Sequence, residues 1–208
     1  MNKILISLGI IAIAAIIVLF FIINPFQKES LKGTVLNKEA IDFELKTLDN
    51  KTFKLSDHKG KVIAMTFVYS HCPDVCPVLA NRFSTAAVTL MEKNYDNFIM
   101  LLISVDFAGD TYESVMDFLS KYVSKEAINK GKVIYLLGKD LESLNNIWKS
   151  YGVYVATSKE TGNYTFTPVA HSTVVHIIDK KFKWRVSFVG MLWDVTDLVH
   201  DMEILLKE

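Results

Sequence analysis

The start of the chain limits it most. From Ile4 to Ile23 the sequence carries no charge, and only Ser7 and Gly9 interrupt its apolar character. About 20 residues at about 1.5 Å each cover roughly 30 Å, the hydrocarbon thickness of a bilayer. A cleaved signal peptide is the competing reading, but its apolar region is shorter, roughly 7–15 residues, and ends at a small-x-small site. The flank Ile23-Asn24-Pro25-Phe26 offers no such site. We therefore expect an uncleaved anchor over 1–27, a polar tether over 28–38 and a single domain over 39–208. The only cysteines are Cys72 and Cys76, too far on for lipid attachment near the start. Lys3 favours an inside N-terminus, which puts residues beyond about 28 on the extracytoplasmic side of the membrane. With no Arg-rich transit segment, a bacterial cell membrane is favoured over a mitochondrial one.

The remainder alternates strand and helix. Phe43-Glu44-Leu45 and Thr52 to Leu55 flank Asp49-Asn50, which reads as a hairpin. Val62–Tyr69, Phe98–Val105 and Val133–Leu137 are apolar runs of buried-strand length. Between them, Leu79, Phe83, Ala86, Ala87 and Leu90 recur at helical spacing, giving a helix from Pro77. Asp110-x-x-Glu113 reads as a capping box opening the next helix, and Leu141 to Tyr151 gives another. Thr161-Gly162-Asn163 turns a short insertion. A hairpin about Asp179-Lys180-Lys181 and a helix over Val195–Leu206 close the chain. This order describes an α/β, thioredoxin-like mixed sheet flanked by helices, preceded by one transmembrane helix. The formal net charge is zero and there is no long basic run, so nothing points to nucleic acid.

Chemistry concentrates in Tyr69-Ser70-His71-Cys72-Pro73-Asp74-Val75-Cys76-Pro77, where the first long strand gives way to the first helix. Residues before proline avoid the α region, and Pro77 suits the first position of a helix, which makes Cys76 its N-cap. Positive charge at a helix start favours thiolate, the form that attacks disulfides and binds metal. A structural bridge across four residues would constrain the unfolded chain little. Structural zinc would want four ligands, and no second cysteine pair exists. Spacing alone leaves a redox dithiol and a metal site both open. A metal held by two thiolates needs a further ligand. Of five histidines, His58 and His200 read as solvated, His71 adjoins Cys72 but points away, and His176 reads as packed within a strand. His171, in the loop after Pro168, lies nearest the cysteines in a thioredoxin-like fold. Position alone leaves it open between a third ligand and an ordinary loop histidine.

These residues resemble the SCO/SenC family of copper chaperones. The likeness runs through Thr66-Phe67 to Pro77 with its Cys-Pro-Asp-Val-Cys-Pro core, then Ile103 to Asp106 with Asp110-Thr111. Tyr151-Gly152-Val153 and His171-Ser172-Thr173 with Ile178-Asp179 follow in order. The resemblance implies that Cys72, Cys76 and His171 bind copper. It implies as client the dinuclear copper centre of cytochrome c oxidase subunit II. Asp74 and Asp106 match family positions too, as residues that would support the ligands from behind, although a turn carboxylate and a strand-end cap are their simpler readings. Ligand chemistry agrees, since soft thiolates select Cu(I) and an added oxygen ligand can satisfy Cu(II). The alternatives are a membrane-anchored thiol–disulfide oxidoreductase that keeps oxidase cysteines reduced, with Cys72 and Cys76 cycling through a disulfide, and a copper or redox sensor.

Overall fold

A computed structural model describes residues 3–23, 30–157 and 169–208. The chain divides into two units, residues 1–30 and 31–208. In the first, helix α1 runs over Lys3–Ile23. Side chains are described there only for residues 9–19, and Ile10, Ile13, Ile16 and Leu19 among them are exposed. Among the described residues no helix is long and apolar enough to cross a membrane. The transmembrane helix expected from the sequence is thus not found among them.

The second unit is built on an eight-stranded mixed sheet. β1 is Thr34–Glu39, β2 Glu44–Thr47, β3 Thr52–Lys54, β4 Val62–Val68, β5 Phe98–Ser104 and β6 Val133–Leu137. A short pair, β7 Val155–Thr157 and β8 Val169–His171, precedes β9 Val174–Ile178 and β10 Lys183–Val189. Strand order is β1-β10-β9-β4-β5-β6-β2-β3. β4, β5 and β6 run parallel, while β9 lies antiparallel to β4. Every residue of β4 and of β5 is buried. Continuous apolar strands of this kind need cover on both faces. Helices α2 (Val75–Glu92), α3 (Tyr112–Tyr122), α4 (Lys125–Asn129), α5 (Leu141–Ser150) and α6 (Val195–Lys207) flank the sheet. α2 packs on both α3 and α6. The mixed sheet flanked by helices is the one the sequence describes.

Three details differ from the sequence reading. The 28–38 stretch is not all tether, because Thr34–Glu39 pairs with β10 and completes the sheet edge. The wholly buried Asp201 of α6 draws that segment in by accepting the backbone N–H groups of Lys32 (2.7 Å) and Gly33 (3.0 Å). The cap of α3 is Thr111 with Ser114, not Asp110 with Glu113. Finally, α2 begins at Val75 with Asp74 as N-cap, so Cys76 is inside the helix and Pro77 is its third residue. The first four N–H groups of a helix have no partner within it, so proline costs no hydrogen bond there. The expected Thr161-Gly162-Asn163 turn and Pro168 lie outside the described residues, as does Asn24–Glu29.

Candidate metal centre

β4 ends at Val68 and α2 starts at Val75, so Cys72 lies in the intervening loop and Cys76 in the first turn of the helix. The helix start turns a backbone N–H on the outer sulfur, with Cys76 N–H donating to Cys72 Sγ at 3.4 Å. Both cysteines are free thiols and both are buried, Cys76 completely and Cys72 to 8% exposure. Their proton affinities separate. A hydrogen bond from the Cys76 thiol, helped by the backbone N–H groups of Asp74 and Cys76, holds Cys72 down to about 5. The same bond, together with burial, pushes Cys76 up. At neutral pH the pair is one thiolate and one thiol.

His171 closes the arrangement. It ends β8, where Val155 of β7 is its partner, so it stands on a short antiparallel strand pair and not in the open loop expected. Ser172 beyond it bonds Tyr154 through both backbone and side chain. The ring Nδ1 lies 3.1 Å from the Ser172 carbonyl. A carbonyl oxygen only accepts, so Nδ1 carries the proton and Nε2 presents its lone pair. That Nε2 is 3.6 Å from Cys76 Sγ. Burial lowers the proton affinity of His171, which keeps the ring neutral and its nitrogen ready to ligate. Residues 95 apart in sequence are thus brought together with a compatible tautomer.

The remaining histidines are otherwise engaged. His176, in mid β9, is buried among Phe67, Tyr151 and Trp184. Trp184 Nε1–H donates to Ser187 Oγ (2.9 Å), which lies 2.7 Å from His176 Nδ1, and Nε2 is 3.0 Å from the Tyr151 carbonyl. Indole can only donate and carbonyl can only accept, so Ser187 donates to Nδ1 and Nε2–H donates to Tyr151. Both nitrogens are spent. His58 stacks on Phe53 and His200 bonds Asp201, so each is partly buried and partnered instead of solvated. Asp74 is exposed and makes no side-chain cap bond. Asp106 accepts from the backbone N–H of Gly109 at 2.9 Å, the strand-end capping role.

Sequence reasoning missed what lies beneath the cysteine loop. Asp110 is a buried carboxylate whose proton affinity burial raises. It accepts the Ser70 N–H (2.8 Å), the Ser104 hydroxyl (2.6 Å) and the Tyr135 hydroxyl (2.6 Å). Nothing local marks Asp110 for this, since Asp-x-x-Glu read as a helix cap. Potential donor atoms of His71, Asp106 and Asp110 all lie within 4.8 Å of one another. Those carboxylates already serve neighbouring N–H and O–H groups. Only the cysteine–histidine set offers the soft sulfur donors that copper prefers.

The chain's relationships accord with this geometry. The model of the SCO1/SenC family matches residues 32–206, nearly the whole second unit. The chain belongs to that family. It is 28% identical over 182 residues to the mitochondrial SCO1 homolog 1 of Arabidopsis thaliana, covering 85% of this chain and 51% of the relative. An SCO2-like protein of Rickettsia typhi is 26% identical over 195 residues, 90% of each chain. The chain spans about half the length of the mitochondrial relatives, 43% in the case of yeast SCO2. Among solved structures, copper-bound Arabidopsis ScoI superposes with a TM-score of 0.67 at 24% identity, over 81% of this chain and 99% of that one. A SCO1/SenC family lipoprotein of Bacillus anthracis gives 0.70 at 25% identity, over 85% and 99%. Copper-bound yeast Sco1 gives 0.69 at 23%, over 82% and 89%. The fold is therefore the thioredoxin-like one of this family.

Proposed function

We propose that this protein binds copper through Cys72, Cys76 and His171 and delivers it to the dinuclear copper centre of cytochrome c oxidase subunit II. The observation that carries the reading is the unprotonated Nε2 of His171, 3.6 Å from Cys76 Sγ with its other nitrogen spent on a carbonyl. A thiolate, a thiol that can lose its proton and a neutral imidazole suit Cu(I), the ion being cargo rather than a resident cofactor. Relatives solved with copper bound support the same choice of metal. Binding at neutral pH displaces the proton of Cys76, while Cys72 and His171 need lose none. In this reading the apolar segment Ile4–Ile23 ties the chain to a membrane, with the domain that follows it on the extracytoplasmic side.

A second reading rests on Cys72 being held as a thiolate beside a protonated Cys76, the poise of a thiol–disulfide oxidoreductase. Anaerobic copper titration of the reduced full chain in detergent separates the two. The metal reading expects one copper per chain and intense sulfur-to-Cu(II) charge-transfer bands, abolished by Cys72→Ser or by Cys76→Ser. A stable Cu(II) complex without sulfur ligation overturns it.

A further inference from the structure

We infer that Asp110 is a positioning residue for the copper site, fixing the cysteine loop by accepting the backbone N–H of Ser70. This deepens the copper-binding reading and rests on it. Ser70 stands two residues before Cys72, in the stretch between the end of β4 and the start of α2. Its N–H reaches Asp110 Oδ1 at 2.8 Å. The other oxygen, Oδ2, is fastened by Ser104 at the end of β5 and by Tyr135 in β6, both at 2.6 Å. One buried carboxylate therefore ties the cysteine loop to two neighbouring strands, whose own positions the sheet fixes.

The surrounding segment is shaped to hold the carboxylate there. Ser70 Oγ donates to Ser114 Oγ (2.9 Å), and Ser114 is the residue that closes the capping box of α3. Gly109 packs directly over the Asp106 carboxylate, which a Cβ at that position would strike. The chain from Ser104 to Ser114 is thus folded tightly around the loop's first residues. A buried acceptor with three donors, one of them on the metal loop, holds the loop's backbone in place. Groups that orient ligands in this indirect way typically change metal affinity by about 10–100-fold when removed.

Substitution separates a positioning role from a merely structural one. Asp110→Ala removes the acceptor for Ser70. Asp110→Asn can keep it, turning its carbonyl to Ser70 while its NH2 faces the Ser104 and Tyr135 oxygens, whose hydroxyls can rotate to accept. The reduced chain in detergent, loaded with Cu(I), is challenged with a chelator well below each variant's thermal transition. Asp110→Ala should release copper about tenfold faster, with shifted Cu(II) charge-transfer bands, and Asp110→Asn should restore both towards the parent. A folded Asp110→Ala protein with the parent's spectrum and release rate overturns the inference. The amide proton of Ser70 provides a check that needs no variant. It should exchange slowly in the reduced protein, and exchange as fast as that of an exposed loop amide also overturns the inference. If the parent protein shows no sulfur-ligated copper, the functional reading fails instead, a different result from either.

Discussion

Two strands consecutive in the chain, β8 and β9, treat histidine in opposite ways. In the middle of β9, His176 is buried against Trp184 and Tyr151, with both ring nitrogens hydrogen-bonded. Five residues earlier, at the end of β8, His171 uses Nδ1 on a carbonyl and turns Nε2 towards a sulfur. The first arrangement exhausts the side chain and fixes it in the core. The second leaves one lone pair unspent, 3.6 Å from the Cys76 sulfur. A histidine's capacity for chemistry here follows from how many of its nitrogens the fold consumes, and burial is secondary. Both rings are neutral for the same cause, desolvation of the charged form.

That contrast can be broken experimentally. The largest effect belongs to His176→Ala, which empties a packed site, takes the acceptor from the Ser187 hydroxyl and takes the ring N–H from the Tyr151 carbonyl. A loss of about 4 kcal/mol is expected in urea unfolding, with the copper spectrum of the surviving folded fraction unchanged. An altered spectrum would mean that the two regions are coupled.

Acid provides the next test. His176 is held down to about 4 in the folded state by burial, against 6.5 for an ordinary histidine. With the folded value depressed, its contribution to stability is complete above pH 6.5 and is lost progressively as pH falls towards 4. The loss amounts to about 3 kcal/mol, because protonation favours the unfolded chain. Urea midpoints at pH 7, 5.5 and 4.5 should fall accordingly, and His176→Gln should flatten the decline. An unchanged slope in that variant would assign the acid sensitivity elsewhere.

The smallest energetic change and the most specific one is expected of His171→Ala. Folding should weaken by no more than about 1 kcal/mol, since the ring is half-buried and gives up one carbonyl bond. Copper should dissociate about tenfold faster, with altered Cu(II) bands, and oxidase copper content in cells should drop. A folded His171→Ala protein that supports normal oxidase copper without added copper would replace delivery by dithiol exchange as the function.

The sheet could be read from the chain because its central strands are unbroken apolar runs and α2 shows apolar residues at helical spacing. Those signals are local. β1 could not be read in the same way, because Thr34–Glu39 is polar and mostly exposed and becomes a strand only by pairing with β10. α2 starts at Val75, two residues before Pro77, because a proline marks a first turn without saying which of its positions it takes. The cysteine pair announced itself by spacing and composition. Its histidine was less plain, since position singles out His171 among five but does not separate a third ligand from an ordinary loop histidine.

By itself, then, the sequence determined the alternation of elements, the apolar segment Ile4–Ile23 and the dithiol at the mouth of a helix. These depend on residues near one another along the chain, where propensity and periodicity act directly. Tertiary structure decided the rest. It spent both nitrogens of His176 and one of His171, separated the proton affinities of Cys72 and Cys76, and drew Asp110 from an apparent helix cap to a buried acceptor beneath the loop. Each of those outcomes is set by partners far away in sequence, because a polar group taken out of water must find its hydrogen bond wherever the fold supplies one.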